Sequence, residues 1–197
     1  MADAGRVIAG SARGTRLAAP GSGTRPIGDR VKQTLFAMLE PELEGAVVVD
    51  LYAGSGAGAI EALSRGAARA VLVEKDPGAC RVIAENLRRT RLDGAARVVR
   101  RDVVTWLAEP AGAAADAPFD LVLVDPPYAD TVGLARALEL VGPHVRAGGV
   151  VVAKHFWRDA PPARVGMLAS ERARRFGETA LTFYRRTDDA GEEAGTA

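Results

Sequence analysis

Three features of this 197-residue chain predict an α/β fold with a mostly parallel sheet covered by helices on both faces. From Gly45 onward, short runs of β-branched and aliphatic residues alternate with helical patterns over about 140 residues. Several of the runs end in an acidic residue: Asp50, Glu74, Asp102 and Asp125. A glycine-rich segment, Asp50-Leu-Tyr-Ala-Gly-Ser-Gly-Ala-Gly58, stands at the first strand–helix junction. In such sheets ligands gather at the carboxyl ends of the strands, near the switch in strand order, so the chemistry is expected in the loops that follow them.

Taken in order, Gly5–Pro20 holds short apolar pairs broken by glycine, the pattern of a small hairpin or extended arm. Asp29–Glu40 reads as a helix with Val31, Leu35, Met38 and Leu39 facing inward, closed by Pro41. Ala46–Leu51 (AVVVDL) is a buried strand and Ala59–Arg65 the helix after it; Ala70–Glu74 is the second strand. Pro77–Arg91 is a helix with Cys80, Ile83, Ala84 and Leu87 on one stripe, and Ala96–Arg101 is the third strand. A low-complexity loop at 110–118 precedes the fourth, Phe119–Asp125. Thr131–Val141 is a helix, Gly149–His155 the fifth strand, and Met167–Arg174 and Thr179–Arg186 are two more strands joined near Gly177, with antiparallel pairing expected at this end. The division expected is a basic N-terminal arm and helix (1–44), a body (45–186) and a disordered acidic tail (187–197).

Composition narrows the function. Hydrophobic residues at 48% and charged residues at 26% describe a folded domain rather than a disordered chain. A single cysteine, Cys80, excludes an internal disulfide and a cysteine-based zinc site. With His144 and His155 the only histidines, a metal-centred enzyme is not expected either. No apolar run is long enough to span a bilayer, and the N-terminus lacks a secretory pattern, so the cytosol is the expected compartment. The net charge of +1 conceals +4 over residues 1–39 and −4 over 187–197. Arginine outnumbers lysine by 23 to 3, a bias that deprives an isolated arginine of functional weight.

Glycines at a strand–helix junction let a ligand approach the backbone, and the helix N-terminus favours polar or anionic groups. Glu74 ends the next strand twenty residues past Gly54, where a carboxylate can accept from both hydroxyls of a ribose. This pair indicates an adenine-nucleoside cofactor without choosing between NAD and S-adenosylmethionine. Asp102 is placed to accept from an adenine amino group, with Val103 against the ring, or equally to cap the next helix. The deciding motif is Asp125-Pro126-Pro127-Tyr128, directly after the fourth strand. Consecutive prolines remove ladder donors at a central strand end, where folding alone does not favour them. They fit a rigid clamp for a planar amino group: the Asp125 carboxylate and Pro126 carbonyl accept its two hydrogens, and Tyr128 stacks on the ring. His155-Phe156-Trp157 after the fifth strand can line the base pocket or roof the core; Trp106 is read as core and His144 as solvated.

The glycine loop, Glu74, Asp102 and Asp-Pro-Pro-Tyr together resemble a class I S-adenosylmethionine-dependent amino-methyltransferase, with its Rossmann-like sheet. Arg6-Val-Ile-Ala-Gly10, Gly14-Thr-Arg-Leu17, Arg25-Pro26, Asp29–Phe36 and Glu61-Ala-Leu-Ser-Arg-Gly66 narrow the resemblance to the RsmD-type small-subunit rRNA guanine-N2 methyltransferases, over roughly Arg6 to Arg186. The resemblance implies methyl transfer from S-adenosylmethionine to the N2 amino group of one guanine of 16S rRNA, in a small-subunit particle, by a protein expected to be monomeric. It implies a cofactor set of Asp50, Tyr52, Ala53, Gly54, Ser55, Gly56, Gly58, Glu74, Lys75, Asp102 and Val103, a catalytic set of Asp125, Pro126, Pro127 and Tyr128, and RNA contacts from Arg6, Arg13, Arg16, Arg25, Arg30 and Lys32. Two positions depart from the family: Ile27 stands where a threonine is common, and Lys154 where an acidic residue is common. The competing readings are methylation of adenine N6 in DNA or another RNA, a nucleotide-dependent oxidoreductase, and a non-catalytic RNA-binding factor.

Overall fold

The structure, a computed structural model, describes residues 3–21 and 28–188; Arg25, Ile27 and the acidic tail beyond Asp188 lie outside the described residues. A short hairpin, β1 (Asp3–Arg6) and β2 (Arg16–Ala18), leads into α1 (Asp29–Leu39). The alternation then runs β3 (Val47–Leu51), α2 (Ala57–Ser64), β4 (Arg69–Glu74), α3 (Pro77–Thr90), β5 (Ala96–Arg100), α4 (Val103–Ala108), β6 (Phe119–Val124), α5 (Thr131–Val141) and β7 (Val145–Phe156). It closes with β8 (Arg164–Val165), β9 (Leu168–Phe176) and β10 (Thr179–Arg186).

The eight strands after the hairpin form one sheet in the order β5-β4-β3-β6-β7-β10-β9-β8. Pairing is parallel from β5 to β7 and antiparallel from β7 to β8. The strands at its centre read as continuous aliphatic runs because both faces are covered. On one face, Val48, Leu72 and Leu121 pack with Leu35 and Phe36 of α1, Ile60 of α2 and Ile83 of α3. On the other, Val49, Val122 and Val151 pack with Trp106 of α4 and Leu134 and Leu138 of α5. Strand order reverses between β3 and β6, so their carboxyl ends open a crevice there.

The N-terminal segment is not a detached arm. Ala4, Val7, Leu17, Phe36 and Leu39 belong to the same apolar cluster as the sheet. Glu61 of α2, fully buried, accepts the backbone N–H of Ile8 and Ala9 at 2.8 and 3.1 Å and an Arg65 bond at 2.8 Å. Ser64 Oγ accepts from Ala12 N at 2.9 Å and donates to Ala9 O at 2.6 Å. Asn86 of α3 bonds both backbone groups of Ala18 and the Ser55 carbonyl, each at 2.9 Å, which ties the hairpin to the glycine loop. Gly10, at φ +83°, lies so close to α2 that a Cβ would fall 1.6 Å from the Ser64 carbonyl oxygen. The division at residue 44 marks a change of architecture within one shared core.

Three details differ from the sequence expectation. In α1 the buried positions are Lys32, Leu35, Phe36 and Leu39, while Val31 and Met38 are half-buried: the face is rotated because Phe36 fills the core beneath a buried lysine. In α3 the buried stripe is Ala79, Ile83, Asn86, Leu87 and Thr90, since polar Asn86 has backbone partners that aliphatic periodicity cannot reveal. The two-residue β8, which has no hydrophobic signature, adds a further strand antiparallel to β9 beyond those expected.

Candidate active site

The crevice is a cavity of about 390 Å³ at the carboxyl ends of β3, β4 and β6, and it gathers residues from segments more than a hundred positions apart. Its lining includes Asp50, Tyr52, Gly54 and Gly58 after β3, Glu74 and Lys75 at the end of β4, Asp102 and Val103 after β5, and Asp125 to Tyr128 after β6. Register explains the convergence: Leu51 is level with Val73 on one side and Val124 on the other, so each next residue opens onto the same space. Asp125 N donates to Leu51 O at 3.3 Å and Ala53 N to Val73 O at 3.1 Å, holding the three strand ends together.

The glycine loop is built around two carboxylates. Glu74 accepts Gly54 N through Oε2 and Asp76 N through Oε1, both at 2.9 Å. Each carboxylate oxygen has two acceptor positions, so one remains on each for a diol. Asp50, buried, accepts Ala59 N at 2.9 Å through Oδ2. Burial pushes its carboxyl up to about 8, with the charges of Asp125 and Glu74 adding to the rise and the Ala59 N–H opposing it. Gly58 has to be glycine: a Cβ would fall 2.8 Å from both Asp50 Oδ2 and Leu123 Cδ1. Tyr52 holds a left-handed backbone (φ 64°) without being glycine, and strain of that kind persists where a ligand site over-determines the turn. Asp102 caps α4, its Oδ1 accepting Thr105 N at 3.2 Å, and it also lines the cavity.

At the other wall, Lys154 of β7 donates to Asp125 Oδ1 at 2.5 Å. Burial raises the Asp125 carboxyl, and the charge and hydrogen bond of Lys154 oppose that rise without cancelling it. Lys154 Nζ also stands 5.1 Å from the centre of the Tyr128 ring. Tyr128 is further fixed by a 2.5 Å hydrogen bond between its hydroxyl and Thr179 Oγ1 and by an edge contact with Phe156. It remains 37% exposed, leaving ring surface for a partner at the cavity mouth.

A family model described as conserved hypothetical protein 95 matches residues 5–185 of this chain. The chain belongs to that family. Among similar proteins, YlbH of Bacillus subtilis is 35% identical over 184 residues, 92% of this chain and 98% of YlbH. Ribosomal RNA small subunit methyltransferase D of Escherichia coli K12 is 43% identical over 124 residues, 62% of this chain and 60% of that protein's length. The solved structure of yhhF from Escherichia coli superposes with a TM-score of 0.82 at 32% identity, covering 93% of this chain and 98% of that one. The fold is therefore the Rossmann-like class I methyltransferase sheet, and this RsmD-type family takes S-adenosylmethionine as its cofactor.

The cavity fits that cofactor on its own geometry: a carboxylate with spare acceptor positions at the end of β4, a glycine passage past Asp50, and a second acid at the end of β5. When bound, the cofactor supplies an electrophilic methyl group on a sulfonium. Of the residues expected to hold the cofactor, Asp50, Tyr52, Ala53, Gly54, Ser55, Gly58, Glu74, Lys75, Asp102 and Val103 all line the cavity, while Gly56 caps the start of α2. Pro126, Pro127 and Tyr128 line it beside Asp125.

The basic residues expected to meet RNA fare differently. Lys32 is 1% exposed, donates to Arg6 O at 2.5 Å and has its ammonium pulled below the usual range by burial, so it is no part of a solvated basic surface. Arg6 faces Asp29 at 3.6 Å and Arg16 faces Asp3 at 2.9 Å. Arg13 and Arg30 are exposed and have no carboxylate within 4 Å among the described residues. His155 is buried, with both ring nitrogens bonded, to Phe156 O and Thr182 Oγ1, and roofs the core rather than lining the pocket. The residue that sequence reasoning missed is Lys154. Its signal was present, a cation in place of the acid common in the family, but its partner lies 29 positions away.

Proposed function

We propose that the protein transfers a methyl group from S-adenosylmethionine to the exocyclic N2 amino group of a guanine in 16S rRNA, within a small-subunit particle. The observation that carries the reading is the Asp125–Tyr128 turn, fixed at the end of β6 and facing Glu74 across one cavity. A guanine amino nitrogen is a weak nucleophile because its lone pair is conjugated with the ring. Asp125 accepts one amino hydrogen on Oδ2, since Oδ1 is occupied by Lys154, and the Pro126 carbonyl accepts the other. Holding both hydrogens turns the lone pair toward the methyl-bearing side of the cavity and sets the reacting atoms about 3–3.5 Å apart. Tyr128 covers the base face, its ring direction set by Thr179 and Phe156. The N2 group lies on the Watson–Crick edge, so the base enters unpaired or extruded. Lys154 opposes the rise that burial gives the Asp125 carboxyl.

The test is incubation with methyl-labelled S-adenosylmethionine and small subunits lacking the modification. Asp125→Asn, which keeps shape but offers a donor as well as an acceptor, is expected to lower kcat about 10²-fold or more while cofactor affinity stays within a few-fold. Equal labelling of 16S rRNA by the wild type and by Asp125→Ala would contradict the reading.

A further inference from the structure

The antiparallel end of the sheet carries basic and aromatic groups that the reaction above does not use. Directly opposed residues on neighbouring strands share a face, and register places Lys154, Leu181 and Arg174 in one row across β7, β10 and β9. The first two line the cavity, so Arg174 continues its floor one strand outward. Past the end of β7, Trp157 is bracketed by two guanidinium groups, Arg175 at 3.7 Å and Arg158 at 4.7 Å from its ring centre. Trp157 touches Phe156, and Phe156 touches Tyr128, with ring centres 6.3 and 6.4 Å apart. An aromatic path therefore runs from the base clamp to a half-exposed tryptophan flanked by arginines. Arg158, Arg174 and Arg175 are exposed and have no carboxylate within 4 Å among the described residues, although Asp159 and Glu178 are close in sequence. Glu171, the one acid of β9, is tied to Arg185 at 3.0 Å.

We infer that Arg174 on the cavity face and Arg158, Arg175 and Trp157 around the end of β7 form a docking surface that wraps the edge of the sheet, for the single-stranded RNA flanking the target nucleotide. This rests on the reading of the site as an rRNA methyltransferase. Exposed guanidinium groups without carboxylate partners suit phosphates, and a half-exposed indole beside them suits the bases of an unpaired strand, the combination that sequence-tolerant RNA grooves use. Its continuity with Tyr128 says where the strand goes: a base extruded into the clamp leaves its neighbours beside Phe156 and Trp157. The N-terminal hairpin lies against α2 and α3, and two of its described arginines are already paired.

Fluorescence anisotropy of the full-length protein on an unmodified 16S rRNA fragment, across a salt series, tests this. For Arg158→Ala/Arg174→Ala/Arg175→Ala, RNA affinity is expected to fall at least tenfold, and the log–log salt slope to shrink by about 2, the value for three phosphate contacts on a single strand. Calorimetric cofactor affinity is the control for a folded pocket and is expected to match the wild type. Arg175→Lys, which keeps charge but loses planar stacking, is expected to keep the slope and lose about threefold in affinity. Wild-type affinity and slope in the triple variant, with 16S labelling intact in the wild type, would overturn the surface and leave the methyltransferase reading standing. Weakened binding confined to assembled particles, with naked RNA unaffected, would overturn it in favour of a ribosomal protein contact. A wild-type protein that neither binds RNA nor labels it would overturn both.

Discussion

The two ends of the chain each add a basic piece to the parallel sheet, and they use the charge differently. Residues 1–39 hold six cations and two acids; residues 158–186 hold seven arginines and three acids, so both carry +4. In the first piece Arg6 and Arg16 face acids and Lys32 is buried. In the second, Arg185 is bound to Glu42 and Glu171, but Arg158, Arg172, Arg174 and Arg175 have no carboxylate partner among the described residues. The first is attached through buried side chains and the second through backbone pairing. Net charge over a window thus says little about where charge is available; pairing and burial decide it.

The largest effect separating the two concerns attachment. Glu61→Ala leaves the Ile8 and Ala9 N–H groups and the Arg65 guanidinium without their buried acceptor, and is expected to cost about 3–5 kcal/mol in urea unfolding. An effect below about 0.5 kcal/mol would return the N-terminal segment to a free arm. Deleting residues 1–20 should destabilise the whole protein for the same reason, since Glu61, Ser64 and Asn86 would all lose partners.

Between the two pieces, the parallel centre holds Asp50. Its folded carboxyl sits near 8 against about 4 in the unfolded chain, so the unfolded state ionises first as pH rises. This group's contribution is therefore full below about pH 4 and is lost progressively up to about pH 8. Asp50→Asn is expected to be more stable than the wild type at pH 8 by a few kcal/mol, the difference shrinking at pH 5. A pH-independent difference would show that Asp50 is already ionised in the fold.

Smaller effects compare the two buried or part-buried lysines. Lys154→Met removes the cation beside Asp125 and should move the acid limb of kcat/KM up by about one pH unit or more. Lys32→Met, whose ammonium donates to Arg6 O and feels the Glu61 and Asp29 carboxylates rather than Asp125, should leave that limb in place. Smallest of all, Arg13→Ala/Arg30→Ala should reduce RNA affinity several-fold, less than the triple change at the C-terminal edge. The reverse order would assign the RNA to the hairpin.

Much of this was legible in the sequence, for identifiable reasons. Parallel strands buried on both faces read as aliphatic runs, so Val47–Leu51 and Phe119–Val124 were recognisable to within a residue or two. Strand-end placement made Glu74, Asp102 and Asp125 candidates before any contact was known, and the fold brings all three to one cavity. Contacts of long sequence separation were not legible. Nothing local marks Glu61 or Asn86 as the anchors of a hairpin 52 to 68 positions earlier. Lys32 read as a basic residue of the arm because α1 periodicity cannot reveal a buried lysine satisfied by a carbonyl. The edge arginines were averaged into a nearly neutral middle stretch, and only register sets Arg174 beside the cavity.

The central claim is the identity of the methylated atom. Nucleoside analysis by mass spectrometry of 16S rRNA, after reaction of the wild-type protein with unmodified small subunits, measures it directly. The expected product is N2-methylguanosine, approaching one per particle and forming about a hundredfold more slowly with Asp125→Asn. Methyl groups on adenine N6, or none on 16S rRNA while another nucleic acid is labelled, would contradict it.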